Sequence, residues 1–381
     1  GEVTFDLAQT SFNANVLTVG GHGNSAELSL RGVPGDIVVS SALSAEENIT
    51  AMSMPAESTN DPAPSRTQVR EVYVLPAGVM KILSTQNITG LYASDRAVIE
   101  GDLEMDVDTL LDAGTLIVGD NGNNGLVTLG GGTPGVGPKA KITAHRGLLG
   151  DAADFGDTSG GTGTINAADN SELIFDRLTI GDRGTGTLDL SSNAHLTVLT
   201  SLELGNGIGS TGTLLLSGAA TASTEGRLSI GANSNIPDDQ LAGTGTLTIS
   251  GIISAPEFQA FGLVEIGQNG KINLTGVTYT PDFILGNDMI SRKIGTAFEM
   301  NDASFRIADN IDSSINLGPG SVFKFDGTAS VDRLDIFNTL TLGEDSTLEI
   351  NIGTEVLPVL PDTPTLASFE IGRSTFVNAT T

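Results

Sequence analysis

A strand–turn–strand phrase recurs along this chain, and that recurrence limits what it can fold into. The phrase opens with apolar-x-apolar-Gly: "LTVG" (17–20), "LIVG" (116–119), "LTIG" (178–181), "LELG" (202–205) and "LSIG" (228–231). It closes, after a polar stretch of varying length, with Gly-Thr-Gly-Thr-apolar-x-apolar: "GTGTLDLS" (184–191), "TGTLLLSG" (211–218) and "GTGTLTISG" (243–251). The glycines at 181, 205 and 231 set steps of 24 and 26 residues. A fixed period of this size is the mark of a repeat architecture.

Period-two alternation sorts the faces within one copy. In "LTIGDRGTGTLDLSSNAHLTV" (178–198), Leu178, Ile180, Leu188, Leu190, Leu196 and Val198 point one way, and Thr179, Asp189 and Thr197 the other. One unit therefore reads as three short strands, with corners at 181–186, at 191–194 and near Thr200. A flat three-stranded unit has a single row of apolar side chains and cannot close a core. Copies stacked about 4.8 Å apart pair every strand above and below and fuse the rows into one core. The expected fold is all-β: a right-handed parallel β-helix (β-solenoid) with irregular N- and C-terminal rungs or caps. An antiparallel sandwich also uses short, evenly spaced strands. It supplies no reason for identical phrases at a fixed period.

The regular repeat covers 111–290. Residues 1–110 read as irregular rungs, with a protruding loop at 44–70 where Pro and polar residues erase the strand period. Residues 291–381 read as C-terminal rungs with a cap or edge strands, richer in Phe (298, 305, 323, 325, 337). Exposed ends of such a stack are bare sheet edges, open to capping or to pairing with another chain. The strands "EVTFDL" (2–7) and "SFEIG" (368–372) could complete a neighbour's edge.

Composition removes several functions. Without Cys there is no disulfide framework and no thiolate metal site. With 18 Lys and Arg against 46 Asp and Glu, a net charge of −28 disfavours nucleic acid and anionic membranes and favours basic partners or divalent cations. No unbroken apolar run reaches the length of a membrane span. The chain begins at Gly1 without a basic or apolar leader segment, so either a signal peptide has been removed or none existed; the expectation is an exported chain with its signal peptide removed.

The phrases "LTIGDRGTGTLDLSS" and "LIVGDNGNNGLVTLGGG" resemble the type V secretion/PEP-CTERM-associated repeat of bacterial exported proteins, over roughly 111–280. The resemblance implies a secreted or surface-exposed β-helical stalk, as in autotransporter passenger regions. This sequence shows neither a translocator barrel nor a Pro-Glu-Pro sorting tail. Processing from a longer protein, or another export route, is the matching expectation.

Chemistry-bearing candidates are few. Asp120, Asn121 and Asn123 in "GDNGNNG", with Asp182 in "GDRGTG", place side-chain oxygens on tight turns that could wrap Ca²⁺. The same residues also favour such turns for backbone reasons alone. "DAADFGD" (151–157) reads as a solvated loop. His22, His145 and His195 lie far apart without a nucleophile motif, and His195 alternates outward. Asp176–Arg177 and Asp332–Arg333 invite comparison with polysaccharide-cleaving β-helices, but strict alternation would send each pair to opposite faces. The pairs Thr162/Thr164, Thr185/Thr187 and Thr244/Thr246 read as corner residues rather than a strand-face ladder. The functional expectation is a non-enzymatic extracellular subunit that self-associates through terminal strands into a fibre, sheath or stalk. An adhesin contacting a surface or host ligand through 44–70 stands second, and a polysaccharide-active enzyme third.

Overall fold

The computed structural model describes residues 2–6, 16–20, 26–31, 65–83, 89–130, 140–151, 160–205, 207, 209–231 and 243–251. It also describes the strands 257–260, 264–266, 270–276, 282–285, 289–291, 297–301, 304–307, 315–317, 322–327, 333–335, 339–342, 347–352, 368–371 and 375–376. Every regular element among these residues is a β-strand, and the strands form two sheets in which every pairing is parallel. The fold is all-β.

The chain alternates between the sheets. The first sheet has 14 strands, running from Glu2–Asp6 through Ala26–Arg31, Gly78–Leu83, Asp102–Met105, Asn124–Leu129, Thr162–Ala167, Thr185–Leu190, Thr211–Ser217 and Thr244–Gly251 to Thr375–Phe376. Strands of the second sheet fall between these in sequence. Each strand therefore pairs with the copies before and after it. Glycine pairs with glycine and threonine with threonine where Thr185–Leu190 meets Thr211–Ser217, and again where that strand meets Thr244–Gly251.

Alternation decides what is buried. Leu178, Ile180, Leu188, Leu190, Leu196 and Val198 are all 0 % exposed and join one continuous core that runs from Leu17 to Ile272. Burying each such side chain contributes roughly 1.5–3 kcal/mol, so the core is the main stabilising term. The core is also graded in size: Gly147 sits where a Cβ would lie 2.8 Å from the Phe175 ring, leaving that ring its space.

Second-sheet strands bend in the middle. In Lys141–Leu149, Ala144 and Gly147 are buried while His145 and Arg146 between them are exposed. In Glu172–Ile180, Phe175 and Leu178 are buried while Asp176 and Arg177 face out. The bend breaks the alternation by presenting two successive side chains outward, with a register shift between Phe175 and Arg177. Further on, the strand divides there. The halves of His195–Leu204 pair with two separate strands, Thr221–Thr224 and Arg227–Ile230. The corner expected near Thr200 is this bend.

Two expectations need correction here. Residues 65–70, read as part of a loop, belong to the strand Ser65–Val74, whose first residues pair with Thr89–Ala93. Parallel ladder pairing overrides the polar composition of "SRTQVR". Residues 44–64 lie outside the described residues. The threonines are also not corner residues. Thr162, Thr185, Thr211 and Thr244 form one in-register column on the outer face of the first sheet, and Thr164, Thr187, Thr213 and Thr246 a second. Alternation turns the residue between each pair inward, where neighbouring backbone leaves no room for a Cβ, so that residue is Gly.

Candidate binding groove

The bend aligns a column of outward residues across adjacent second-sheet strands. Glu71, Arg96, Thr115, Arg146, Arg177, Ser201 and Arg227 are successive register partners. Like charges directly opposite on neighbouring strands destabilise a sheet, so Arg146 beside Arg177 has a cost. The reading that Asp176 and Arg177 face opposite sides is overturned, because both lie at the bend. Asp176 accepts a 2.7 Å contact from His145 Nδ1 on the neighbouring strand. Arg146 and Arg177 have no ion pair among the described residues.

Two residues further along each strand, the outward column is Tyr73, Val98, Ile117 and Leu148. Val98, Ile117 and Leu148 are buried and form an apolar cluster separate from the core, with Tyr73 packed against it. Tyr73 donates a 2.7 Å hydrogen bond from its hydroxyl to Glu71 Oε2. The Arg96 guanidinium lies 5.3 Å from the Tyr73 ring centre and 3.4 Å from the same carboxylate oxygen. The Tyr73 hydrogen bond, more than the nearby arginines, holds the Glu71 carboxyl below its ordinary pKa, and burial raises that of the Tyr73 phenol.

Beyond the apolar strip, where strands turn toward the first sheet, stand Glu100, Asp120 and Asp151. Asp120 and Asp151 are each 5 % exposed, and the Asp151 amide donates to the Gly119 carbonyl one copy below (2.9 Å). Burial raises the Glu100 pKa, Asp120 adds to the rise, and a hydrogen bond from Asn123 opposes it. These residues enclose a groove of about 450 Å³, lined by the arginines Arg96 and Arg146, the carboxylates Asp95, Glu100, Asp120 and Asp151, and the apolar strip of Val98, Ile117 and Leu148 with Tyr73.

The candidate Ca²⁺ ligands occupy this neighbourhood only in part. Asp120 and Asn121 line the groove, Asn121 with φ of 50°. The Asn123 amide donates to the Asp120 carbonyl (2.8 Å), closing the turn. Asp182 occupies the corresponding corner two copies on, with Asp151 between them. Among the described residues no three His, Asp or Glu side chains form a metal-binding group. Asp151, read as part of a solvated loop, is buried at this corner because the strand before it ends against the first sheet; 152–159 lie outside the described residues. His195 does lie on an outer face, its Nδ1 2.5 Å from Thr221 Oγ1 and its Nε2 3.2 Å from Thr197 Oγ1. His22 and Asp332–Arg333 as a pair fall outside the described side chains.

The groove escaped the sequence reading because its walls come from residues 20 to 80 positions apart. The available signal was Arg in four copies at the same phase of the repeat: 96, 146, 177 and 227. Comparison of this chain with protein-family models, with curated proteins and with solved structures returned no significant match.

Proposed function

We propose that the chain is a non-enzymatic structural subunit of the extracellular space. It is a right-handed parallel β-solenoid that associates end to end as the rigid element of a surface fibre, sheath or stalk. What carries this reading is the uninterrupted in-register parallel pairing of the first sheet, from Glu2–Asp6 to Thr375–Phe376. Among the described residues, Glu2–Asp6 pairs only with Ala26–Arg31, and Thr375–Phe376 only with Thr347–Ile352. We infer that the other edge of each strand takes a further strand, for which a second copy of the chain is a partner of matching geometry. The repeat's resemblance to those of exported bacterial proteins supports the location.

Electron microscopy of the purified chain at micromolar concentration tests this reading, with Val3→Pro and Thr4→Pro made separately. Consecutive strand residues aim their amides to opposite sides, so one of the two prolines removes an outward donor and the other weakens the pairing with Ala26–Arg31. Fibres shortened by the outward-facing substitution support strand addition. Fibres that are unaffected by both, or absent from the unmodified chain, refute it. A chelator arm asks whether the corners at Asp120 and Asp182 require Ca²⁺ for assembly.

A further inference from the structure

We propose that the threonine-bearing outer face of the first sheet, from Asn124–Leu129 to Thr244–Gly251, is a lateral interface with the same face of a second copy of the chain. Three observations select this occupant, and the first is charge. On the five strands Asn124–Leu129, Thr162–Ala167, Thr185–Leu190, Thr211–Ser217 and Thr244–Gly251, the outward positions carry Thr, Asn, Ser and Leu, and one charge, Asp189. Charge returns at both borders: Asp102 and Glu104 are the partners of Leu126 and Thr128, and Lys271 that of Thr246. At a net charge of −28, two copies repel over most of their surface, and on this face they meet with least of that cost. Depletion of charge also marks the core of a protein interface.

The second observation is order. Thr162, Thr185, Thr211 and Thr244 are exposed and Thr164, Thr187, Thr213 and Thr246 half-buried, in two columns whose members stand about 4.8 Å apart. A β-branched side chain has little χ1 freedom to lose on contact, and each threonine presents a methyl to bury and a hydroxyl to donate or accept. Turned over, the same face brings methyls and hydroxyls at the same spacing, as the self-complementary patch of a two-fold dimer requires. The third is area. Five strands of about six residues cover about 24 Å by about 20 Å. Two such faces together remove about 1,000 Å² from water, the least a specific interface needs, so the pairing is reversible rather than permanent.

Asp189 is the discordant group. It stands between Asn166 and Leu215 in register, and burial already raises its pKa. A second copy laid over it desolvates the carboxylate further, so removing that charge tightens the pairing. The interface uses the flank of the sheet and not the terminal strands, and is therefore read separately from end-to-end joining. Joining lengthens particles, whereas flank pairing doubles their width.

The test is sedimentation velocity across the micromolar range, with particle widths from electron microscopy. It compares the unmodified chain, Val3→Pro, Thr4→Pro, Asp189→Asn, Thr213→Glu and Ser223→Glu. Thr213 lies at the centre of the face, between Thr187 and Thr246. Ser223 lies on the second sheet, between Thr197 and Gln259, and takes the same added charge outside the interface. The expected result is reversible pairing of doubled width in the unmodified chain and in both proline variants. Thr213→Glu should weaken it about tenfold or more, Ser223→Glu should leave it unchanged, and Asp189→Asn should tighten it several-fold. Far-UV circular dichroism confirms that each variant is folded. If Thr213→Glu fails to fold, Asp189→Asn, which keeps size and shape, decides alone. An unmodified chain that stays at single width throughout the range overturns the proposal. So does pairing that resists Thr213→Glu, falls equally with Ser223→Glu, or fails to tighten with Asp189→Asn. Loss of pairing in either proline variant alone overturns it too, by tracing the contact to the terminal strands.

Discussion

An ideal Cβ on Gly212 would stand 2.2 Å from the amide nitrogen of Gly205 and 2.0 Å from the carbonyl oxygen of Ile180. Gly205 ends an apolar-x-apolar-Gly phrase and Gly212 opens a Thr-Gly-Thr phrase, so this approach joins the two halves of the repeat. The Gly205 amide also donates to the Ile180 carbonyl (2.8 Å), continuing the second-sheet ladder around the corner. Neither neighbour is a flexible side chain that could move aside. Gly212→Ala is therefore expected to cost more than about 3 kcal/mol, the scale of severe overpacking. Gly209 has a φ of 67° but nothing within 4 Å of its Cβ position. Gly209→Ala should cost only the left-handed backbone penalty, about 1–2 kcal/mol. Urea denaturation of the two variants checks the ordering; equal losses would contradict the steric account.

Gly147 and Phe175 form a size-matched pair on adjacent strands. A Cβ at 147 would lie 2.8 Å from two atoms of the Phe175 ring and 2.7 Å from Leu178 Cδ1. Gly147→Ala should destabilise by about 1–3 kcal/mol through overpacking, and Phe175→Leu by about 1–3 kcal/mol through lost burial. Made together, they should cost less than the sum, with a coupling of about 1 kcal/mol. A double-mutant cycle measures this. Strict additivity would show that the ring does not depend on the missing Cβ.

The reach of sequence reasoning follows from what alternation can register. Leu188 and Leu196 were legible as core because period-two patterning is a property of a single strand, and the corner near Thr200 because the apolar phase slips there. Asp176 and Arg177 were misassigned for the same reason: counting by two cannot register a bend that turns two neighbours outward. The threonine columns depend on the register between strands, which no single copy displays. Ser65–Arg70 has a loop's composition and becomes strand only through its pairing with Thr89–Ala93. The groove requires Tyr73, Arg96, Arg146 and Asp151 to be neighbours, and only the stacking order makes them so.

Tyr73 and Glu71 predict an acid-dependent contribution to stability. Hydrogen bonding from the Tyr73 hydroxyl, the largest cause, lowers the Glu71 pKa, so the carboxylate binds fewer protons folded than unfolded. The stabilisation is fully present above the unfolded glutamate value, about 4.3, and is lost as pH falls through the lower folded value. Tyr73→Phe should therefore cost about 1 kcal/mol near pH 7, with the difference shrinking below pH 4. Urea midpoints across pH 3–7 test this. A pH-independent difference would mean that the hydroxyl stabilises the fold without favouring the ionised carboxylate.

Glu100 has the opposite sign. Burial, reinforced by Asp120, raises its pKa despite the hydrogen bond from Asn123. The folded chain then holds this proton more tightly than the unfolded chain. The unfavourable contribution of Glu100 is fully present above its raised folded pKa. It fades as pH falls through that value and is gone below the unfolded value, about 4.3. Glu100→Gln keeps the shape and an acceptor for Asn123 while removing the charge. It should stabilise the chain at pH 7 by up to about 1 kcal/mol, with the gain disappearing by about pH 4. Because other carboxylates titrate over the same range, the quantity to measure is the difference between variant and unmodified chain at each pH. A gain that persists undiminished at pH 4 would place its origin in packing, and a loss at pH 7 would show the charged carboxylate to be a net stabiliser of the corner.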